Sequence, residues 1–406
     1  MLQALYSSVD GIQAQQTRMD VIGNDLANIN TNGFKSQDVQ FSDLISQQWA
    51  GATAPTKTDG GTNPLEYGLG VSVGATTSNM SQGTLAATSN PSDMAIEGNG
   101  YFMVSNGTAT SYTRDGSFDL DSAGNLVSTD TGQQLLGWTA NADGTVDSSQ
   151  PVTSASTLSI PIGELDTAQS TSTASVAGNL DPTSTTAQTV TSTFYDSLGA
   201  SHDVTFSFTP PTAGSTSWTW NATEDGGTAS IGAGTVTLSA TGQESAMTTT
   251  TPLTLTGGTT PITVDMTGVT GLSGASSLDV PTQNGYPAGT LSSYQIGTNG
   301  TITGEFTNGL TKTLGQVALA SFTNPAGLSS EGSNLFTTSP NSGPAVVGAP
   351  NTNSYGSINS GYLEQSNVDL SSSLTNLIVT QRGFEANTKM VTTVDTMLQD
   401  VIEMKH

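Results

Sequence analysis

The chain contains no cysteine. That excludes disulfides, thiolate metal sites and a cysteine nucleophile. It has only two histidines, His202 and His406, which leaves little imidazole for acid–base or metal chemistry. Basic residues are scarce: 8 Lys and Arg stand against 33 Asp and Glu, a formal net charge of −25. Nucleic acid is a poor partner for such a balance, because phosphate binding needs clustered cations. An anionic membrane surface is disfavoured for the same reason. Charged residues make up 10% of the chain, against about 25% in ordinary globular proteins, so disorder driven by charge density is not expected. No apolar run approaches the roughly 18 residues of a membrane-spanning helix. Met1–Gln15 has no basic segment followed by a continuous apolar stretch, so it does not read as a cleaved secretory signal.

What is present divides the chain into two similar ends and a different middle. Near the start Leu2, Leu5, Val9, Ile12, Met19, Ile22, Leu26 and Ile29 recur at gaps of three, four and seven. Near the finish Leu370, Leu374, Leu377, Phe384, Val391, Val394, Leu398 and Val401 do the same. Each set is the narrow apolar seam of a long amphipathic helix, roughly 40 Å in the first case and 50 Å in the second. A narrow seam must be buried against another helix. The partner is either the opposite end of the same chain, capping a β domain, or copies of it in neighbouring subunits. Asn30-Thr31-Asn32-Gly33 supplies a stop for the first helix, and Asn367 and Asp369 are candidate caps for the second.

The middle reads as β. Asp203–Phe208 and Ser217–Asn221 alternate with period two, and Phe118–Val127 reads as a hairpin turning near Ala123-Gly124-Asn125. Residues 31–71, Gly/Thr/Pro-rich beyond Trp49, suggest an extended connector. Apolar density falls over 147–284 and recovers near Tyr286, which marks an inserted domain. The expected order is therefore a terminal helical domain (1–30 with 361–406), the connector, a β-rich middle domain (72–146 with 285–360) and the β-rich insertion (147–284). Residues 58–360 contain two basic side chains, Arg114 and Lys312, and 22 acidic ones. The near-neutral ends can pack closely while the middle faces water.

Chemistry-bearing motifs are weak. Asp119-x-Asp121-x-x-Gly124-Asn125 is spaced somewhat like a calcium loop, but position 130, twelfth from Asp119, is Asp where such a loop needs Glu; a hairpin turn accounts for the same residues. Ser201-His202-Asp203 holds the residue types of a hydrolase triad, yet strand neighbours point to opposite faces and cannot relay a proton. No catalytic residue, metal site or cofactor is expected, and the reading points away from an enzyme.

Both ends carry a resemblance. Asn24-Asp-Leu-Ala27-Asn28-Ile-Asn30-Thr31-Asn-Gly33-Phe34-Lys35 closely resembles the signature of the bacterial flagellar rod and hook axial family, with Asp25 in place of the second Asn of the leading pair. Leu363-Glu364-Gln-Ser366-Asn367-Val368, followed by Gln381-Arg382-Gly-Phe384, resembles the family's C-terminal signature. Phe194–His202 and Gly315–Pro325 resemble inner segments of its hook members, and the length suits a hook subunit with an inserted domain. The resemblance implies a mainly β fold whose terminal helices pair as a coiled coil around an inner tube, with nested, discontinuous domains outside. It implies a helical homo-polymer that bends as a universal joint and transmits torque from rod to filament. It further implies unfolded export by the flagellar type III apparatus and contacts with rod, hook-cap and hook–filament junction proteins, without membrane insertion. A straight distal-rod subunit is the nearest alternative; a β-rich surface adhesin would need no matched terminal seams.

Overall fold

A computed structural model describes residues 2–404 except 58, 142–143, 164, 167, 213–215, 240–241, 243 and 257–259. His406 and part of the Thr-rich stretch 241–270 lie outside the described residues. The chain is mainly β, with a long helix near each end: α1 spans Leu2–Ala27 and α2 spans Leu370–Glu403. Asp369 caps α2 by accepting the backbone N–H groups of Ser371 and Ser372. Among the described residues no helix is long and apolar enough to cross a membrane.

Two compact units are present. The first comprises residues 1–160, 295–303 and 313–406; the second comprises 161–294 and 304–312. The second unit starts later than the composition suggests. Leu158 and Ile160 are buried, and Leu158 exchanges backbone hydrogen bonds with Leu126 and Leu135 in the first unit's own β structure. Low apolar density over 147–157 belongs to loops of that unit.

In the first unit α1 lies along α2 and also packs on a hairpin. Strands β1 (Gln37–Asp43) and β4 (Val71–Ser78) pair antiparallel, and β2 (Ser46–Ala50) with β3 (Leu65–Gly68) continues the ladder outward. The stretch expected as an extended connector is thus the greater part of a long hairpin, because extended backbone must find hydrogen-bond partners. Its Gly/Thr/Pro-rich part is the tip. Beyond it come β5 (Leu85–Ala87), β6 (Met94–Glu97), β7 (Tyr101–Ser105) and β8 (Thr110–Thr113). β7 is buried at every residue, as a strand inside a sheet covered on both faces should be. The chain returns as Ser357–Ser360 beside β6 and Tyr362–Glu364 beside β5. That return brings the C-terminal signature next to strands more than 250 residues earlier.

The second unit holds a five-stranded antiparallel meander running from Gln188–Tyr195 to Glu244–Thr251. A three-stranded sheet centres on Thr173–Asn179. The expected period-two strands are here: Val204, Phe206 and Phe208 are buried together with Trp218 and Trp220, forming one core with Leu180 and Met266. The Phe118 hairpin also forms, with Phe118–Leu120 paired to Leu126–Ser128. Asp121 accepts the Ala123 and Asn125 N–H groups at 2.8 Å each, so its carboxylate closes the turn.

Candidate functional site

The signature residues from the two ends meet. Glu364, at the end of the returning strand, has a fully buried carboxylate. Its Oε1 lies 2.6 Å from Lys35 Nζ and accepts the Gly83 N–H at 2.8 Å; its Oε2 accepts from Arg114 Nη1 at 3.3 Å. Lys35 Nζ also donates to the Ser81 carbonyl, and Arg114 Nη2 donates to the Gly98 carbonyl. The Arg114 guanidinium stands 5.1 Å from the ring centre of Tyr101. One carboxylate therefore ties together the segment after α1, the segment before α2 and the loop leaving β8. Burial holds the Lys35 ammonium below the usual lysine range, and Glu364 pulls it back toward its charged form.

Backbone bonds reinforce the same place. Gly33 N–H donates to the Glu364 carbonyl, and Ser36 N–H donates to Asn367 Oδ1. Asn367 Nδ2 reaches the carbonyls of Asn79 and Ser81, so Asn367 fastens strands while Asp369 alone caps the helix. Gly33 has φ +68°, and a Cβ there would lie 2.6 Å from the Asp115 backbone N. Both constraints demand glycine. Asn334 adds a bond from its side chain to the Asn32 carbonyl. We call this cluster the clasp. It includes Gly33, Lys35, Glu364 and Asn367 of the signature. Phe34 reaches it only by its carbonyl, which accepts from Asn367 N–H. Ser366 hydrogen-bonds within its own turn, to Val368 N–H. Asn24, Asn28 and Thr31 bond to one another at the end of α1, next to the exposed Ala27 and Asn30. Leu363 is half-buried in the returning strand, whereas Gln381 and Arg382 lie exposed on α2. Arg114, Ser81 and Gly83 carry no motif. Arg114 did carry a signal: it is one of two cations in the acidic middle.

Asp25, the departure from the signature, is buried near the C-terminal end of α1 and accepts Gln37 N–H through both carboxylate oxygens. Burial pushes its carboxyl above the usual aspartate range. A raised folded-state pKa means the folded chain holds this proton more tightly than the unfolded one. Stability from this group is then present at low pH and lost as pH rises through the folded value. A carboxylate at a helix C-terminus is also opposed by the dipole. Asp25→Asn keeps an acceptor for Gln37 and removes the charge. It is expected to stabilise the chain at neutral pH by about 0.5–1 kcal/mol, and the gain over the parent in a urea-midpoint-against-pH curve should shrink toward low pH, where Asp25 is protonated. Loss of stability at pH 7 would contradict this.

The apolar seams are distributed as follows. Ile22 and Val394 are buried; Leu5, Ile12, Met19, Leu26, Ile29, Leu377, Phe384, Val391 and Leu398 are half-buried; Leu2, Val9, Leu370, Leu374 and Val401 are exposed. A small residue of α1 sits against α2. Ser8, Gly11 and Ala14 are the buried positions of that turn of α1, and a Cβ on Gly11 would lie 2.7 Å from Asn387 Nδ2. Their three-residue spacing was the available signal. Ile378, Val379, Met390 and Met397 add further exposed apolar surface on α2.

Comparison with known proteins agrees with this geometry. Family models match along the chain: "Flagella basal body rod protein" at residues 5–35, "Flagellar hook protein FlgE/F/G D1 domain" at 95–174, "Flagellar basal body protein FlaE D2 domain" at 164–286, and "Flagellar basal body rod FlgEFG protein C-terminal" at 359–404. The flagellar hook protein FlgE of Borreliella burgdorferi is 36% identical, with all of each chain covered. The chain belongs to the flagellar hook protein family. The Escherichia coli hook protein FlgE is 34% identical over 99% of this chain and all of its own. The crystal structure of Helicobacter pylori flagellar hook protein FlgE2 shares the fold, with a TM-score of 0.53 at 16% identity, over 69% of this chain and all of that one. This hook-family chain is a structural subunit of the flagellar hook, a component that assembles into a polymer. Its relatives are structural proteins.

Proposed function

We propose that α1 and α2 pair as a coiled coil lining the inside of a hook tube, and that the β units form nested outer layers on the 1–30/361–406, 72–146/285–360 and 147–284 plan, adjusted at its borders as described above. The observation that carries this is the contrast between the two halves of the terminal apparatus. The charged groups of the clasp are buried within one chain, while Leu2, Val9, Leu370, Leu374, Ile378, Val379 and Val401 stay exposed on its helices. An apolar face of this extent on a soluble chain is an association surface. Each such side chain buried by a neighbouring copy contributes on the order of 1.5–3 kcal/mol. Neighbours in the helical polymer supply that burial, and the full seam is completed only there.

The outer β units, poor in cations, offer few ion pairs to fix one register between copies, which suits a curved, flexible tube that transmits torque as a universal joint. Rod, hook-cap and hook–filament junction proteins are its proposed neighbours, and the flagellar export apparatus its proposed route out. A second reading, a straight distal-rod subunit, draws on the flagellar basal-body rod protein FlgG of Bacillus subtilis, 28% identical with all of each chain covered. Negative-stain imaging of polymer grown from purified chain separates the two. Curved tubes are expected; straight rods would favour the rod reading, and chains that stay monomeric at high concentration would overturn both.

A further inference from the structure

The second compact unit holds a group of donors that the hook function does not use. His202 lies near the start of the strand Ser201–Thr209; Glu224 ends the strand Ser217–Glu224 beside it, and Asp225 opens the turn that follows. Glu224 Oε1 is 2.7 Å and Asp225 Oδ2 is 3.4 Å from the same ring nitrogen, His202 Nδ1. Asp196 Oδ2 stands 3.7 Å from the other nitrogen, Nε2.

We propose that His202, Glu224 and Asp225 bind one divalent transition-metal ion of the zinc type.

Four observations carry this. The first is pre-organisation: each carboxylate spends one oxygen on fixed partners and leaves the other facing the imidazole. Glu224 Oε2 accepts from Thr256 N–H and Oγ1, Asp225 Oδ1 accepts the Asp203 N–H, and Asp196 Oδ1 accepts the N–H groups of Leu198 and Ala200. The second is the unmet demand. The Glu224 side chain is 7% exposed, and the group facing its Oε1 is the His202 ring at 2.7 Å, outside hydrogen-bond geometry; His202 Nε2 has Asp196 no nearer than 3.7 Å. A buried acceptor left so is costly. Third, two carboxylate oxygens converge on one nitrogen that can carry at most one proton, whereas a cation serves all three donors at once. Bond lengths of about 2.0–2.2 Å to zinc put neighbouring donors about 3–3.5 Å apart; Asp225 at 3.4 Å fits as it stands, and Glu224 at 2.7 Å must move out by a few tenths of an ångström to admit the ion. Fourth, Asp196 lies where a metal-bound histidine hands its second N–H to a carboxylate. One nitrogen with two oxygens suits zinc rather than calcium, which takes six to eight oxygens. Asp225, with its side chain 58% exposed, leaves an approach from solvent.

The ion would fasten the ends of two neighbouring strands in the second unit. Ser201-His202-Asp203 was the one hint of this group along the chain. Glu224 and Asp225 are distant in sequence, and strand pairing alone brings them in.

The test is calorimetric titration of the full chain, stripped with EDTA, with zinc chloride. One equivalent is expected to bind with micromolar or tighter affinity, and the unfolding midpoint of the second unit to rise by several degrees. Asp225→Asn retains an acceptor for Asp203, so it folds, and it should weaken binding at least tenfold, as should Glu224→Gln. His406→Gln should change nothing. X-ray absorption at the zinc edge should show one imidazole in the first shell. No saturable binding, undiminished binding by Asp225→Asn, a first shell without imidazole, or calcium binding in place of zinc would each overturn the proposal.

Discussion

Glu364→Ala should cost the first compact unit about 3–5 kcal/mol, the penalty for removing one partner from a buried ion pair. The physical reason is what remains behind. Lys35 and Arg114 are both buried, and without the carboxylate two cations are left with the Ser81 and Gly98 carbonyls and the face of Tyr101 but no counter-charge. Burial already works against the charge on Lys35, so nothing local compensates. Gly83 also loses its acceptor. The chain has two compact units, so a single unfolding curve will not report this cleanly. Hydrogen exchange at the Gly33 and Gly83 amides reads the clasp directly, since both donate to Glu364. Both should lose protection by two to three orders of magnitude, by the conversion of about 1.4 kcal/mol per tenfold. Glu97→Gln, at an exposed carboxylate, serves as the control and should stay within about 0.5 kcal/mol of the parent. Protection unchanged in Glu364→Ala would mean that the clasp holds by its backbone bonds alone.

The opposite pattern is expected on α2. Ile378→Asp and Val379→Asp alter side chains that are 58% exposed, so the folded chain should be within about 0.5 kcal/mol of the parent. Polymerisation should be nearly abolished. Each substitution removes an apolar contact of on the order of 1.5–3 kcal/mol and asks the interface to bury a carboxylate. About 3 kcal/mol per added subunit raises the critical concentration by roughly a hundredfold or more. Sedimentation of polymer against total protein measures it. Normal polymer from both variants would show that this face is not where copies meet.

Different layers of the molecule were legible to different degrees. The helices were plain, because leucine and valine at three- and four-residue gaps have no other economical explanation, and α1 and α2 fall close to the expected ranges. Period-two strands such as Asp203–Phe208 were equally plain. The hairpin over 37–78 was not: Val39, Phe41, Val71 and Val73 are too few and too far apart to announce pairing, and the polar tip dominates the composition. That α1 could meet α2 was foreseen as one of two alternatives, but the residues through which it does were hidden for a different reason. Ser8, Gly11 and Ala14 matter because they are small, and a search for apolar residues passes over them. The clasp was half legible. Lys35 and Glu364 stood out within the signatures, but that they touch depends on the chain's return beside β5, and Arg114 enters from a third segment.

The clasp joins residues 329 positions apart. Most of the chain must therefore be available before its root can close. A chain synthesised amino end first forms α1 early, and that helix has neither its partner nor its latch until the final few dozen residues follow. Locking is thereby postponed until nearly the whole subunit is available, so a chain still lacking its last residues cannot set solid.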